Sequence, residues 1–329
     1  MSEIVTSADG KWQTRKFPGV ALALAAGGAL AVQARINGQL ATDLGDSMLA
    51  AVISFGGGLV ALLALLTFVS DMRGGVRRLA DALVRRTLPP WHLLGGAGGA
   101  MLVASQSVTV GVLGVALFTV GVVAGQTISG LVVDRIGLGP AGPRAISVPR
   151  LVGAAVMLVA VVITMRGGIV MAGAGAWLLV LPIVAGFAIA VQQAVNGRVS
   201  AASGNAMTAT LVNFAVGTSF LVLAWVVSLV LRGGPTGAPT HPMLYTGGLI
   251  GIGVIAVAAV VVRWTGVLVL GLATVAGQLA GSFLLDVFLP AHDEDVTVAT
   301  VVGLLLALAA TACASIPHRE RGRSAALRE

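Results

Sequence analysis

The chain has 329 residues, of which 57% are hydrophobic and only 10% charged, whereas a soluble domain carries about 25% charged residues. Its mean hydropathy is +0.98 and its formal net charge +7. That composition excludes a soluble globular fold, and the single cysteine, Cys313, excludes an intrachain disulfide or a cysteine metal cluster.

Residues 1–16 hold Glu3, Asp9, Lys11, Arg15 and Lys16 and lack the short apolar core and small-residue cleavage site of a removable signal peptide. They read as a retained cytoplasmic segment. From Phe17 onward, apolar runs of roughly 17 to 25 residues recur, each long enough to cross a hydrocarbon core about 30 Å thick as a helix. Barrel strands would alternate in polarity over about ten residues, and these runs do not. The sequence predicts helices over 17–40, 46–70, 91–111, 113–136, 150–166, 175–199, 206–231, 242–264, 266–289 and 297–316. The fold expected is an all-α integral membrane protein of about ten transmembrane helices. Connections are short except 71–90, a polar stretch closed by Pro89 and Pro90.

Cationic loops stay on the cytoplasmic side of a membrane. With the N-terminus inside, the inner segments collect Lys11, Arg15, Lys16, Arg73, Arg77, Arg78, Arg85, Arg86, Arg135, Arg144, Arg150 and the tail arginines 319, 321, 323 and 328. The outer loops receive almost none, and the last of them, "AHDEDV", is acidic. Both termini are expected in the cytoplasm, and topology accounts for the positive charge without a nucleic-acid partner. Trp12, Trp91 and Trp264 fall at predicted helix ends, where indoles anchor at the membrane interface.

The chain repeats itself. Aligned without gaps, Ala31, Val32, Gln33, Asn37, Gly38, Gly45, Met48, Ala50, Phe55 and Gly58 match Ala190, Val191, Gln192, Asn196, Gly197, Gly204, Met207, Ala209, Phe214 and Gly217 at one constant offset. Later in each half, "GVALFTVGVVAGQTISGLVVD" (114–134) echoes "GVLVLGLATVAGQLAGSFLLD" (266–286), so that Gln126 answers Gln278 and Asp134 answers Asp286. This divides the chain into a five-helix repeat over 17–167, a second over 168–316, and a basic cytoplasmic tail over 317–329. Because five is odd, the second copy enters the membrane from the opposite face. Inverted repeats of this kind are the design of many secondary transporters, with the substrate near the midplane between the halves.

The QxxxNG pattern opening each half, "ISFGGG" and "VNFAVG" in the next helices, and the segment "ALFTVGVVAGQ" followed by "LVVDRIGL" resemble the YdcZ-type family of the drug/metabolite transporter (DMT) superfamily, here as a fused tandem pair of domains. The resemblance covers nearly all of Phe17 to Ile316. The second half departs from it where "VLVLGLATVAGQ" replaces the "ALFTV" wording. It implies a ten-helix inner-membrane transporter, an exporter of small metabolites or drugs, and no particular substrate.

Polar side chains inside these helices are the candidate binding residues. Gln33 and Asn37 are four apart and share a helix face, as do Gln192 and Asn196. They either line the substrate path or bond neighbouring helices. Gln126 and Gln278 fall near the middle of their helices beside glycines spaced for close packing, Gly121 with Gly125 and Gly277 with Gly281, and are favoured as site residues. Ser105, Gln106 and Thr109 form a polar strip without a counterpart in the eighth helix, and Asn213 stands opposite Ser54 in the repeat alignment.

No acidic residue reaches the middle of a helix. Asp134 and Asp286 lie near helix ends, where anchoring to Arg135 or another interfacial cation competes with a coupling role, and His92 begins the third helix. This favours facilitated diffusion or exchange over proton antiport. Arg35 either snorkels to the outer boundary or turns inward, which would favour an anionic or zwitterionic substrate. The chain has no HExxH, no His or Cys cluster and no P-loop, so neither an enzyme nor an ATP-driven pump is expected, and no cofactor. The partners expected are a small-molecule substrate and the lipid bilayer. The competing reading is a channel or a non-transporting assembly subunit.

Overall fold

A computed structural model describes residues 3–164, 177–239, 241–289 and 297–316, with the backbone alone for 3–14 and 232. The acidic loop "AHDEDV", the tail arginines and the side chains of Lys11 and Trp12 lie outside the described residues. Among these residues every regular element is helical: α1 (Glu3–Leu44), α2 (Ser47–Phe68), α3 (Ser70–Val84), α4 (Gly96–Ile136), α5 (Val148–Thr164), α6 (Val180–Ser203), α7 (Ala206–Arg232), α8 (Gly247–Thr265), α9 (Val267–Phe288) and α10 (Val298–Ser315). Among the described residues, 8 helices are long and apolar enough to cross a membrane, and α5 is a shorter apolar helix.

Helix ends follow local chemistry. The "LGD" and "SGN" turns each place a glycine in the left-handed region, Gly45 and Gly204, ahead of a capping side chain. Asp46 accepts from the Met48 and Leu49 amides at 2.9 and 3.0 Å to start α2, and Asn205 accepts from Thr208 at 3.0 Å to start α7. Asp46 also takes the Trp225 indole N–H at 3.0 Å, tying the start of α2 to α7.

Two differences from the sequence expectation stand out. The polar stretch 71–90 contains α3, which buries Met72, Gly75 and Leu79 on one face while its charges stay outside. A window tuned to continuous hydropathy passes over such a stripe, because only one face is apolar. The segment read as two helices over 91–111 and 113–136 opens on a 3-10 turn, Pro90–Gly95, and continues as α4, which is broken at Gly114.

That break is a reversal. Before Gly114, α4 runs against α6: Gly95 lies on Val195 and Asn196, and Gly98 on Ala188 and Gln192. After it, α4 runs with α6: Gly121 meets Pro182, Gly125 meets Ile183, and Ser129 donates to the Phe187 carbonyl at 3.1 Å. Gly114 has φ 74 and ψ 161, and Gly266, between α8 and α9, has φ 82 and ψ 173. Both lie in a backbone region essentially restricted to glycine.

The α8–α9 hairpin holds α1 in the same way. Gly247 lies on Asn37, Gly251 on Gln33 and Gly19 on Thr265, so α8 runs against α1; Gly277 lies on Leu24 and Gly281 on Gly28 and Ala31, so α9 runs with it. Helices α1 and α6 are thus each clasped by a hairpin from the other half of the chain. Helices α5 and α10 pack on each other through Gly153 against Ala310 and Gly303 against Ala160.

Candidate substrate path

The sequence-matched residues fall into two clusters toward opposite ends of the bundle, around one aromatic pair. In the first cluster, Gln33 and Asn37 of α1 approach Gly251 and Gly247 of α8, with Ser54 of α2 beside them. In the second, Gln192 and Asn196 of α6 approach Gly98, Gly99 and Gly95, with Asn213 of α7 beside them. Phe55 and Phe214 sit between the clusters with ring centroids 5.2 Å apart. Gly58 faces the Phe214 ring and the Gly248 carbonyl, and Gly217 faces the Phe55 ring and the Gly96 carbonyl.

The clusters are alike in composition and unlike in bonding. Asn196 donates to Asn213 at 2.9 Å, and both side chains are buried. At the matching positions Asn37 Oδ1 and Ser54 Oγ find no hydrogen-bond partner among the described residues, nor does Gln33 Oε1. Gln33 and Asn37 are half-buried, whereas Gln192 is 6% exposed with an unpartnered Oε1. A polar atom buried away from water without a partner is costly, so these atoms call for water or ligand.

The other sequence candidates are placed as follows. Gln126 is half-buried with its side-chain amide packed on Gly271, while Gln278, its match, is exposed halfway along α9. Ser105 is buried with its hydroxyl unpartnered, Thr109 is buried and donates to the Ser105 carbonyl at 2.7 Å, and Gln106 is exposed. Arg35 donates to the Leu289 carbonyl at 2.5 Å, at the end of α9. His92 is buried against Trp91, and Trp264 lies under the Arg15 guanidinium.

Asp134 is the centre of a cluster that sequence reasoning found only in part. Its carboxylate is 3% exposed, is ion-paired with Arg150, and accepts from the Val267 and Leu268 amides at 2.7 and 3.2 Å. The partner is Arg150 and not the adjacent Arg135, which is exposed. Beside it, Arg144 donates to the carbonyls of Thr265, Trp264 and Arg263 at 2.9, 3.2 and 3.4 Å. Carboxylate thus meets the positive start of α9 and guanidinium the negative end of α8, on either side of Gly266. Burial lowers the Arg144 pKa from its ordinary value; the Arg150 charge adds to this and Asp134 opposes it.

Arg144 and Arg150 belong to a wider use of arginine. Arg73 reaches the Thr67 carbonyl at the end of α2, Arg78 the Ser203 carbonyl at the end of α6, and Arg198 the Gly137 and Leu138 carbonyls after α4. Arg73, Arg78, Arg144 and Arg150 were counted for orientation but not assigned to these partners, and Arg198, within α6, was not singled out.

Among the described residues no group of His, Cys, Asp or Glu is arranged to hold a metal ion. A family model described as "Putative inner membrane exporter, YdcZ" matches residues 18–163 and again 177–313. No curated protein compared with the chain matches it. A solved structure described only as "Crystal structure of protein" is 17% identical, with a TM-score of 0.63 over 92% of this chain and 96% of its own, a likeness of fold.

Proposed function

Because the chain belongs to the YdcZ family of the drug/metabolite transporter superfamily, matched once in each half, we propose that it is a secondary transporter carrying a small metabolite or drug across the inner membrane by alternating access. The direction expected is export or exchange. The two halves are inverted repeats over 17–167 and 168–316, with both termini in the cytoplasm. Counting the limbs of α4 on either side of Gly114 separately gives ten spans, each limb being about 30 Å long at 1.5 Å per residue.

The observation that carries this reading is the reciprocity of contacts. Gly95 on Asn196 has its counterpart in Gly247 on Asn37, Gly99 on Gln192 in Gly251 on Gln33, and Gly125 on Ile183 in Gly277 on Leu24. Such exchange relates the halves by a pseudo-two-fold axis near the Phe55–Phe214 pair, so one arrangement can be converted into its mirror by exchanging the roles of the halves. The substrate path runs past Gln33, Asn37 and Ser54 toward Gln126, Gln278 and the Phe pair, with Gln192, Asn196 and Asn213 closing the far end in this form. Ser105 and Gln106 flank that path from the third span.

Purified protein in liposomes tests the reading. A carrier gives saturable uptake and counterflow of a compound found by thermal-shift screening, and Gln126→Ala and Gln278→Ala weaken that compound's stabilising effect while remaining folded. Linear, non-saturating conductance would replace the carrier by a channel.

A further inference from the structure

The repeat alignment sets Asp286 against Asp134, Val115 and Ala116 against Val267 and Leu268, and Gly114 against Gly266. The hairpin reversals are built alike, with φ 74 at one glycine and φ 82 at the other. Only one of the matching carboxylates is engaged. Asp134 takes the first two amides of α9, whereas Asp286 is half-buried and makes no hydrogen bond or ion pair among the described residues. The packing agrees: Gly130 lies on the Leu268 backbone at the Asp134 end, while at the matching positions Ser282 is exposed and Ala116 buried.

We propose that Asp134 and Asp286 are positioning residues that alternate during transport. In the form described, Asp134 caps α9 and holds one mouth shut. In the opposite form Asp286 caps the second limb of α4 at the Val115 and Ala116 amides and holds the other mouth shut, while Asp134 releases Val267 and Leu268. A carboxylate suits this task because a helix start offers it two amides and a positive dipole end, and both can be surrendered to water. The latches are unequal. The reciprocal packing of α5 and α10, Gly153 on Ala310 and Gly303 on Ala160, makes Gly303 the repeat counterpart of Gly153 and so Thr300 that of Arg150; the Asp286 latch lacks the cation that holds Asp134. That inequality makes the Asp134-closed form the resting one.

The inference rests on the alternating-access reading, and one experiment separates the two. In a Cys313→Ser background, spin labels at Phe17 and Ile136 report the Asp134 mouth and labels at Val112 and Phe288 the other; these four side chains are exposed. Distance distributions are read by double electron–electron resonance in liposomes. Asp134→Asn is expected to lengthen the first distance and shorten the second in about tenfold more molecules, since a charge-assisted bond is lost from one form only. Asp286→Asn is expected to deplete that minor form. A purely structural carboxylate would lower stability without moving the two populations in opposite directions. If Asp134→Asn does not fold, Asp134→Asn with Arg150→Met removes both buried charges together and is expected to shift the populations the same way. Two forms whose ratio ignores Asp286→Asn would overturn the latch and leave alternating access standing. One unmoving distribution in every variant would sink both.

Discussion

Single residues decide how closely these helices approach. A Cβ at Gly125 would run into the Ile183 carbonyl and one at Gly186 into the Val122 carbonyl, whereas one at Gly38 or Gly253 meets nothing within 4 Å. Gly125→Ala and Gly186→Ala should therefore each cost about 1–3 kcal/mol or more, because backbone cannot yield as a side chain can. Gly253→Ala should be neutral or stabilising by a few tenths of a kcal/mol to about 1 kcal/mol. Melting temperatures in detergent distinguish the two groups. The Asn196–Asn213 bond permits a second measurement: a double-mutant cycle to alanine should return a coupling of about 0.6 to 2 kcal/mol, the range for amides bonded between membrane helices. Both asparagines were legible as polar residues in an apolar run. Their mutual bond was not, because they belong to different helices.

At the scale of elements, the decisive features are the two hairpins and the surface helix. Gly114→Ala and Gly266→Ala each force a side chain into a glycine-only region, at about 1–3 kcal/mol. Gly266→Ala should be the worse, since its Cβ would also press on Asp134 Oδ2 at 2.8 Å and on Arg144 at 3.0 Å. The yield of monodisperse protein and its melting temperature rank them. Helix α3 was hidden from a hydropathy reading by its arginines. Its existence follows from the Met72, Gly75 and Leu79 spacing once α7 is present to receive that face, with Gly75 packed on Thr208.

For the whole molecule, orientation is the open test. The arginine-rich end carries α3 and the Asp134 cluster, and the opposite end carries the turn after α7. In the Cys313→Ser background, Val84→Cys and Val230→Cys, both at exposed sites of 84% and 80%, should label from opposite faces with a membrane-impermeant thiol reagent. Val230 is expected to react in intact cells and Val84 only after permeabilisation. Labelling of both from one face would overturn the inverted arrangement.

Composition and pattern alone pointed to the class of molecule: continuous apolar runs are long enough to cross a membrane as helices, and the two matching stretches fall one in each of the two regions that the same family model matches. They also singled out Gln33, Asn37, Gln192 and Asn196, because amides are rare where hydrocarbon must be crossed. What they left undecided was pairing. That α1 is clasped by α8 and α9 and α6 by the limbs of α4, that Asp134 meets Arg150 and the start of α9, and that Gln126 and Gln278 see different surroundings were decided only by tertiary structure. The physical reason is that hydropathy and helix period are local properties of one segment. A buried amide or carboxylate finds its partner only when small residues let particular helices cross, and those crossings bring together residues of different helices, from 16 positions apart for Asp134 and Arg150 to 133 for Asp134 and Val267.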